Sequence, residues 1–177
     1  MGCSHGIPVL LLAVFYLAIF PSHGILHGNL ATICYKTPDP FSCQRILGNV
    51  PGTISADLPK LSLISINLTK NQADQNLDSF SKLSKNESDP ELKKSFKHCV
   101  KYYHEIQAHI QKAFKLSRKK IFRDNHPLVT SKKLVKRCNQ AIRINSLDIE
   151  VMNKRMILSC DISMSVNHYA TANAHIQ

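Results

Sequence analysis

His104 and His109, in the stretch His104-Glu105-Ile106-Gln107-Ala108-His109, are the first candidates for metal chemistry. A zinc-protease helix holds its ion with histidines four residues apart, because that spacing puts both rings on one face. Here the spacing is five. The helical turn then carries the two rings about 140° apart, so a shared ion is not expected. His98 beside Cys99 suggests a base next to a thiol nucleophile, but helical neighbours point about 100° apart. The chain has no nucleophile elbow, phosphate-binding glycine loop or paired carboxylate set. The expectation is a protein that is not an enzyme, with no catalytic residue, no metal and no cofactor.

The cysteines carry the other available chemistry, and their use depends on the compartment. No Lys, Arg, Asp or Glu precedes His27, and Ile7 to Phe20 is apolar apart from Pro8. That run is shorter than the roughly 20 residues needed to span a bilayer. It reads as a signal-peptide core, with the small residues of Pro21-Ser22-His23-Gly24 behind it. Cleavage after Gly24 is expected, making 1–24 a signal peptide and the mature chain a secreted protein without a membrane anchor. Cys3 leaves with that segment, and Cys34, Cys43, Cys99, Cys138 and Cys160 remain. Five thiols in an oxidising compartment imply two bridges and one leftover, with the connectivity open. Asn67-Leu68-Thr69 and Asn86-Glu87-Ser88 are sequons, so Asn67 and Asn86 are candidate glycosylation sites.

Charge narrows the partners. The chain has 23 Lys and Arg against 12 Asp and Glu, a formal net charge of +11. Nucleic acid is the usual polyanion for so basic a chain. Secretion removes it and leaves an acidic polysaccharide or an acidic protein surface. Between Lys112 and Arg137 lie ten of the basic residues and a single acid, Asp124. The functional reading of that cluster is an electrostatic docking patch; the plainer one is a solvated surface, and salt separates them because exposed pairs are screened.

These residues have to be positioned by something, and the hydropathy pattern supplies helices. Leu92, Phe96, Cys99, Tyr103, Ile106, Ile110 and Ala113 step by threes and fours, as a bundle helix does. Ser88-Asp89-Pro90-Glu91 marks its start, predicting a helix from Pro90 to Lys119. A long helix before it uses Ile54, Leu58, Leu61, Ile64, Leu68, Leu77, Phe80 and Leu83, with Pro59 in its first turn or at a kink. Its stripe is broken by the polar run Asn71 to Asn76. A third helix starts near Pro127 and a fourth carries Met152, Met156, Cys160, Ser163, Val166 and Ala170. No run alternates in strand fashion. The expected fold is all-α, an up-down four-helix bundle over 53–177. The piece 25–52 cannot be one helix, because Pro38 and Pro40 force a turn between Cys34 and Cys43; it is expected to form a small hairpin of helical turns outside the bundle.

Several of these residues together resemble the plant invertase and pectin methylesterase inhibitor family. The likeness begins with Cys34 and Cys43, which have eight residues between them, Thr37, Pro40 and Phe41 included. It continues through Ser55-Ala56-Asp57-Leu58-Pro59-Lys60-Leu61, Ile66-Asn67-Leu68, Asp89-Pro90-x-Leu92-Lys93, Cys99, Tyr103 and Cys138, and ends in Leu158-Ser159-Cys160-Asp161-Ile162. It covers Gly28 to Ala174. The resemblance implies a Cys34–Cys43 bridge inside the hairpin, a Cys99–Cys138 bridge between the middle bundle helices, and Cys160 as a free, buried thiol. It also implies an inhibitor that fills its target's substrate cleft with the bundle surface.

In that family the esterase inhibitors use the middle two helices. This places the candidate contacts here at Lys101, Lys112, Lys132, Lys133, Lys136, Arg137 and Asn139. Invertase inhibitors instead insert a Pro-Lys-Phe loop, of which Lys120-Ile121-Phe122 keeps no proline. Arg137 stands where members commonly have a small or hydroxyl residue, and Asn139-Gln140 where acids are common. The reading is a secreted apoplastic inhibitor of cell-wall pectin methylesterase. Acid invertase is the alternative target; an acidic-pectin-binding wall protein and a secreted helical signalling ligand are the rivals outside inhibition.

Overall fold

The computed structural model describes residues 27–142 and 146–173. The expected signal peptide, with Cys3, lies outside them. Among the described residues six helices follow in order: α1 (His27–Cys34), α2 (Pro40–Gly48), α3 (Leu58–Asn86), α4 (Pro90–Arg118), α5 (His126–Ala141) and α6 (Leu147–Ala172). Helices α3 to α6 close a ring in which α3 packs on α4, α4 on α5, α5 on α6 and α6 on α3.

Three helices start by the same device, an aspartate cap with proline just behind it. Asp39 accepts from the Ser42 amide, Asp57 from Lys60 at 2.8 Å and Asp89 from Leu92 at 2.8 Å. The hydrogen bonds from Ser42 hold the Asp39 carboxyl below its ordinary value. Pro59 thus sits in the first turn of α3 and no kink forms there. Ile54, expected on the α3 stripe, precedes the helix and is exposed, because the Asp57 cap starts the helix one turn later.

Helix α4 ends at Arg118, one residue before the expected Lys119, in a paired-hydrogen-bond stop. The Ile121 amide donates to the Leu116 carbonyl and the Lys120 amide to Ser117. Lys120 takes the left-handed position of this motif, φ 57°, where glycine is the unstrained choice. Lys120→Gly is expected to raise stability by about 0.5–1 kcal/mol, read as a higher urea midpoint.

The main core lies between α3, α4, α5 and α6, with Phe80 5.3 Å from Tyr103 and 6.4 Å from Phe96 between ring centroids. The polar run in α3 does not interrupt the helix; it delivers Asn76 to the interior. Asn76 donates to the Tyr103 hydroxyl at 2.8 Å and to the Met152 carbonyl at 3.0 Å, and the same hydroxyl donates to Asn153 at 2.6 Å. Tyr103→Phe leaves two buried amides short of a partner and is expected to cost about 2 kcal/mol, measured by equilibrium unfolding.

The hairpin is an extension of the bundle, but it is packed rather than loose. Leu30, Ile33 and Leu47 share a second core with Leu61 of α3 and Ile162 and Val166 of α6. Ser165 donates to the Ile33 carbonyl. Cys34 is bonded to Cys43, and Cys99 of α4 to Cys138 of α5. Cys160 is free and buried. Burial, with the nearby Asp161 carboxylate second, pushes its thiol up to about 12. Native Cys160 should therefore resist iodoacetamide at pH 8 and react only once the chain is unfolded, which mass spectrometry of the labelled protein reads directly.

Candidate docking surface

Helical phase divides the five candidate contact residues on α5 between its two flanks. Lys132 donates to Asp161 and Asn139 accepts from Asn153, so both sit on the side that faces α6. Lys132 is three-quarters covered and Asp161 nine-tenths. Lys133 and Arg137 fall on the opposite flank, toward α4, with Lys136 on the crest between the two sides. All three are exposed.

On α4 the side that faces α3 is marked by Gln107, which donates to Asp74 at 2.7 Å. Burial alone would raise the Asp74 carboxyl; the hydrogen bonds from Lys70 and Gln107 outweigh it and hold it below its ordinary value. Lys101 and Lys112 lie around the helix from Gln107, on the outer side toward α5, and are exposed. The structure thus brings Lys101, Lys112, Lys133, Lys136 and Arg137 onto one outward α4/α5 face and leaves Lys132 and Asn139 off it. Among the described residues none of those five makes an ion pair. The Cys99–Cys138 bridge, with Cα atoms 4.8 Å apart, ties the two helices together at the Lys101 and Arg137 end of this face.

Lys94 and His98 share this outward face and were not among the candidates from sequence. Their spacing with Lys101, by four and then three, is the signal that places them there. Asp161, the partner of Lys132, carried no such signal, since it sits on a helix that is buried on most sides.

The connection from α4 to α5 buries Phe122 and exposes Ile121. A loop whose phenylalanine is packed inward presents no aromatic side chain for insertion. His104 is exposed and His109 half-buried; among the described residues no group of three or more His, Cys, Asp or Glu is placed to hold a metal. Asn67 and Asn86 are exposed. Thr69 of the first sequon is buried in bonds to Ser159 and Ser163.

Residues 28–155 match the family described as plant invertase/pectin methylesterase inhibitor. The chain belongs to this inhibitor family. The match ends before Leu158 to Ile162, so the resemblance of that last segment lies beyond it. A protein of Platanus orientalis named "Putative invertase inhibitor" is 31% identical over 104 residues, 58% of this chain and 59% of that protein. Pectinesterase inhibitor 1 of Arabidopsis thaliana is 28% identical over 101 residues, 57% of this chain and 56% of that one. The aligned stretch thus spans a little over half of either relative.

Two crystal structures of a pectin methylesterase inhibitor from Arabidopsis share the fold. A mutant form superimposes with a TM-score of 0.71 at 21% identity, covering 78% of this chain and 95% of that one. The other gives 0.59 at 20% identity, covering 80% and 95%. Among the described residues no helix is long and apolar enough to cross a membrane.

Proposed function

We propose that this family member is a secreted inhibitor of cell-wall pectin methylesterase, docking the outward α4/α5 face into the enzyme's substrate cleft. The observation that carries the reading is a row of unpaired cations on two helices that a disulfide holds together. Such a face is electrostatically complementary to an acidic surface, which speeds encounter, and its rigid backing lowers the ordering cost of binding. The protein contributes no chemistry; it excludes substrate. The esterase is favoured over acid invertase because Phe122 is packed inward. Export to the apoplast and glycans on Asn67 and Asn86 belong to the same reading.

The cationic face also supports a second reading, retention on acidic pectin itself. Premixing mature protein with a pectin methylesterase at mildly acidic pH should lower methylester release. An unchanged rate, with loss of sucrose hydrolysis in a parallel invertase assay, would move the target to invertase. Retention on demethylated pectin that salt abolishes, with both enzymes unaffected, would favour the wall-binding reading.

A further inference from the structure

On the side of the bundle away from the α4/α5 face, a groove of about 680 Å³ runs between α2, α3 and α6. Its size falls in the range of about 300–1,000 Å³ typical of small-ligand sites. Its chemistry is mixed in a particular way. Arg45 of α2 and Lys154 and Arg155 of α6 supply cations. Lys154 is engaged by Glu150 at 2.6 Å, whereas Arg155 has no ion-pair partner among the described residues. Ile46, Leu68 and Leu158 line it with apolar surface, and Ser42 and Gln72 add neutral polar groups.

Two carboxylates, Asp39 and Asp161, also line the groove. Asp161 is nine-tenths buried; its Oδ1 is taken by Lys132, and its Oδ2 is buried with no hydrogen-bond partner. A buried acceptor without a donor is uncommon and calls for an explanation. With no accessible surface of its own, that oxygen is out of reach of a ligand, and Asp39, which is exposed, is the carboxylate the groove presents.

The geometry points to a binding site for a short acidic oligosaccharide, an oligouronate. Its carboxylates would pair with Arg155 and Arg45, its hydroxyls would donate to Asp39 and bond with Ser42 and Gln72, and its ring faces would lie on Ile46 and Leu158. The combination is what selects the ligand. A purely anionic peptide meets the Asp39 carboxylate with nothing to donate to it from its side chains, and a neutral sugar leaves the arginines unmatched. A uronate carries both groups on every ring. Because the groove is on the far side from the docking face, it can be occupied while a protein is bound there.

The test is isothermal titration of the mature protein with tetragalacturonate, its fully methyl-esterified form and a hexaglutamate peptide. Saturable binding of the free acid is expected, with Arg155→Gln weakening it about tenfold or more, the loss of one charge-assisted hydrogen bond. Lys133→Gln/Lys136→Gln on the docking face should leave it unchanged. Arg155 is exposed, and an unaltered melting curve for its variant keeps a folding defect from mimicking lost affinity. No saturable binding at millimolar ligand, equal binding of hexaglutamate, or loss on the docking-face variant instead of Arg155→Gln overturns the assignment. Esterase inhibition is read separately, so failure of this site leaves that reading to its own assay.

Discussion

Replacing both partners of the α4–α5 bridge, Cys99→Ala with Cys138→Ala, is expected to lower stability by about 4 kcal/mol. The bridge joins residues 39 apart in sequence, and the loop-entropy model assigns about that value to a closure of this length. For a chain of this size each kcal/mol moves the melting midpoint by about 2–4 °C, so a fall of roughly 8–16 °C is anticipated. Both sulfurs are fully buried, and alanine removes them without leaving a new polar group inside. The matching change at Cys34 and Cys43, which are 9 apart, should cost less, about 3 kcal/mol by the same model. A midpoint shift of only a degree or two in the Cys99/Cys138 variant would show that packing alone fixes α4 against α5. The docking face would then not depend on its crosslink.

The second large effect is expected at Lys132. Truncation to alanine strands the Asp161 carboxylate, which is nine-tenths buried and has one oxygen already without a partner. Removing one member of a buried pair costs about 3–5 kcal/mol. Lys132 keeps a quarter of its side chain in solvent, so the lower end, about 3 kcal/mol, is the expected loss. The control is the double change Lys132→Met with Asp161→Leu, which removes both charges together. It should recover most of the loss, because apolar replacement of a buried pair is often neutral or better. Guanidinium unfolding of the three proteins checks this. Equal destabilisation of the single and double variants would mean that side-chain packing, rather than the charge pair, holds α5 to α6.

The stripe of α4 was legible in the sequence because every core position from Phe96 to Ala113 is apolar and repeats at helical spacing. The start of α4 was legible because Asp89-Pro90 is a local signal, read by a cap that depends on no other part of the chain. The α3 pattern was harder. Asn76 reads as a break in an apolar face, and only the arrival of Tyr103 and Met152 from two other helices turns it into a core residue. No local rule contains that pairing.

The contact residues divide in the same way. Charge density between Lys112 and Arg137 marks a basic region without help from the fold. Which of those cations is free depends on a partner from α6, and Asp161 removes Lys132 while Asn153 engages Asn139. The groove behind α2 is more distant still from the sequence, since Arg45 and Arg155 are brought near each other only by hairpin packing. Phe122 gives the converse lesson. It lies in a basic loop with nothing local to say which way it points, and packing turns it inward.

The most direct test of the docking proposal is the affinity of mature protein for a pectin methylesterase, measured for the native sequence and for Lys133→Glu/Arg137→Glu. Both residues are exposed and unpaired on the α4/α5 face, so the variant should fold as the parent does. The expected result is a saturable complex weakened at least about tenfold by reversing these charges. A complex of unchanged affinity would place the interface elsewhere on the bundle, and the absence of any complex would contradict inhibition of this enzyme.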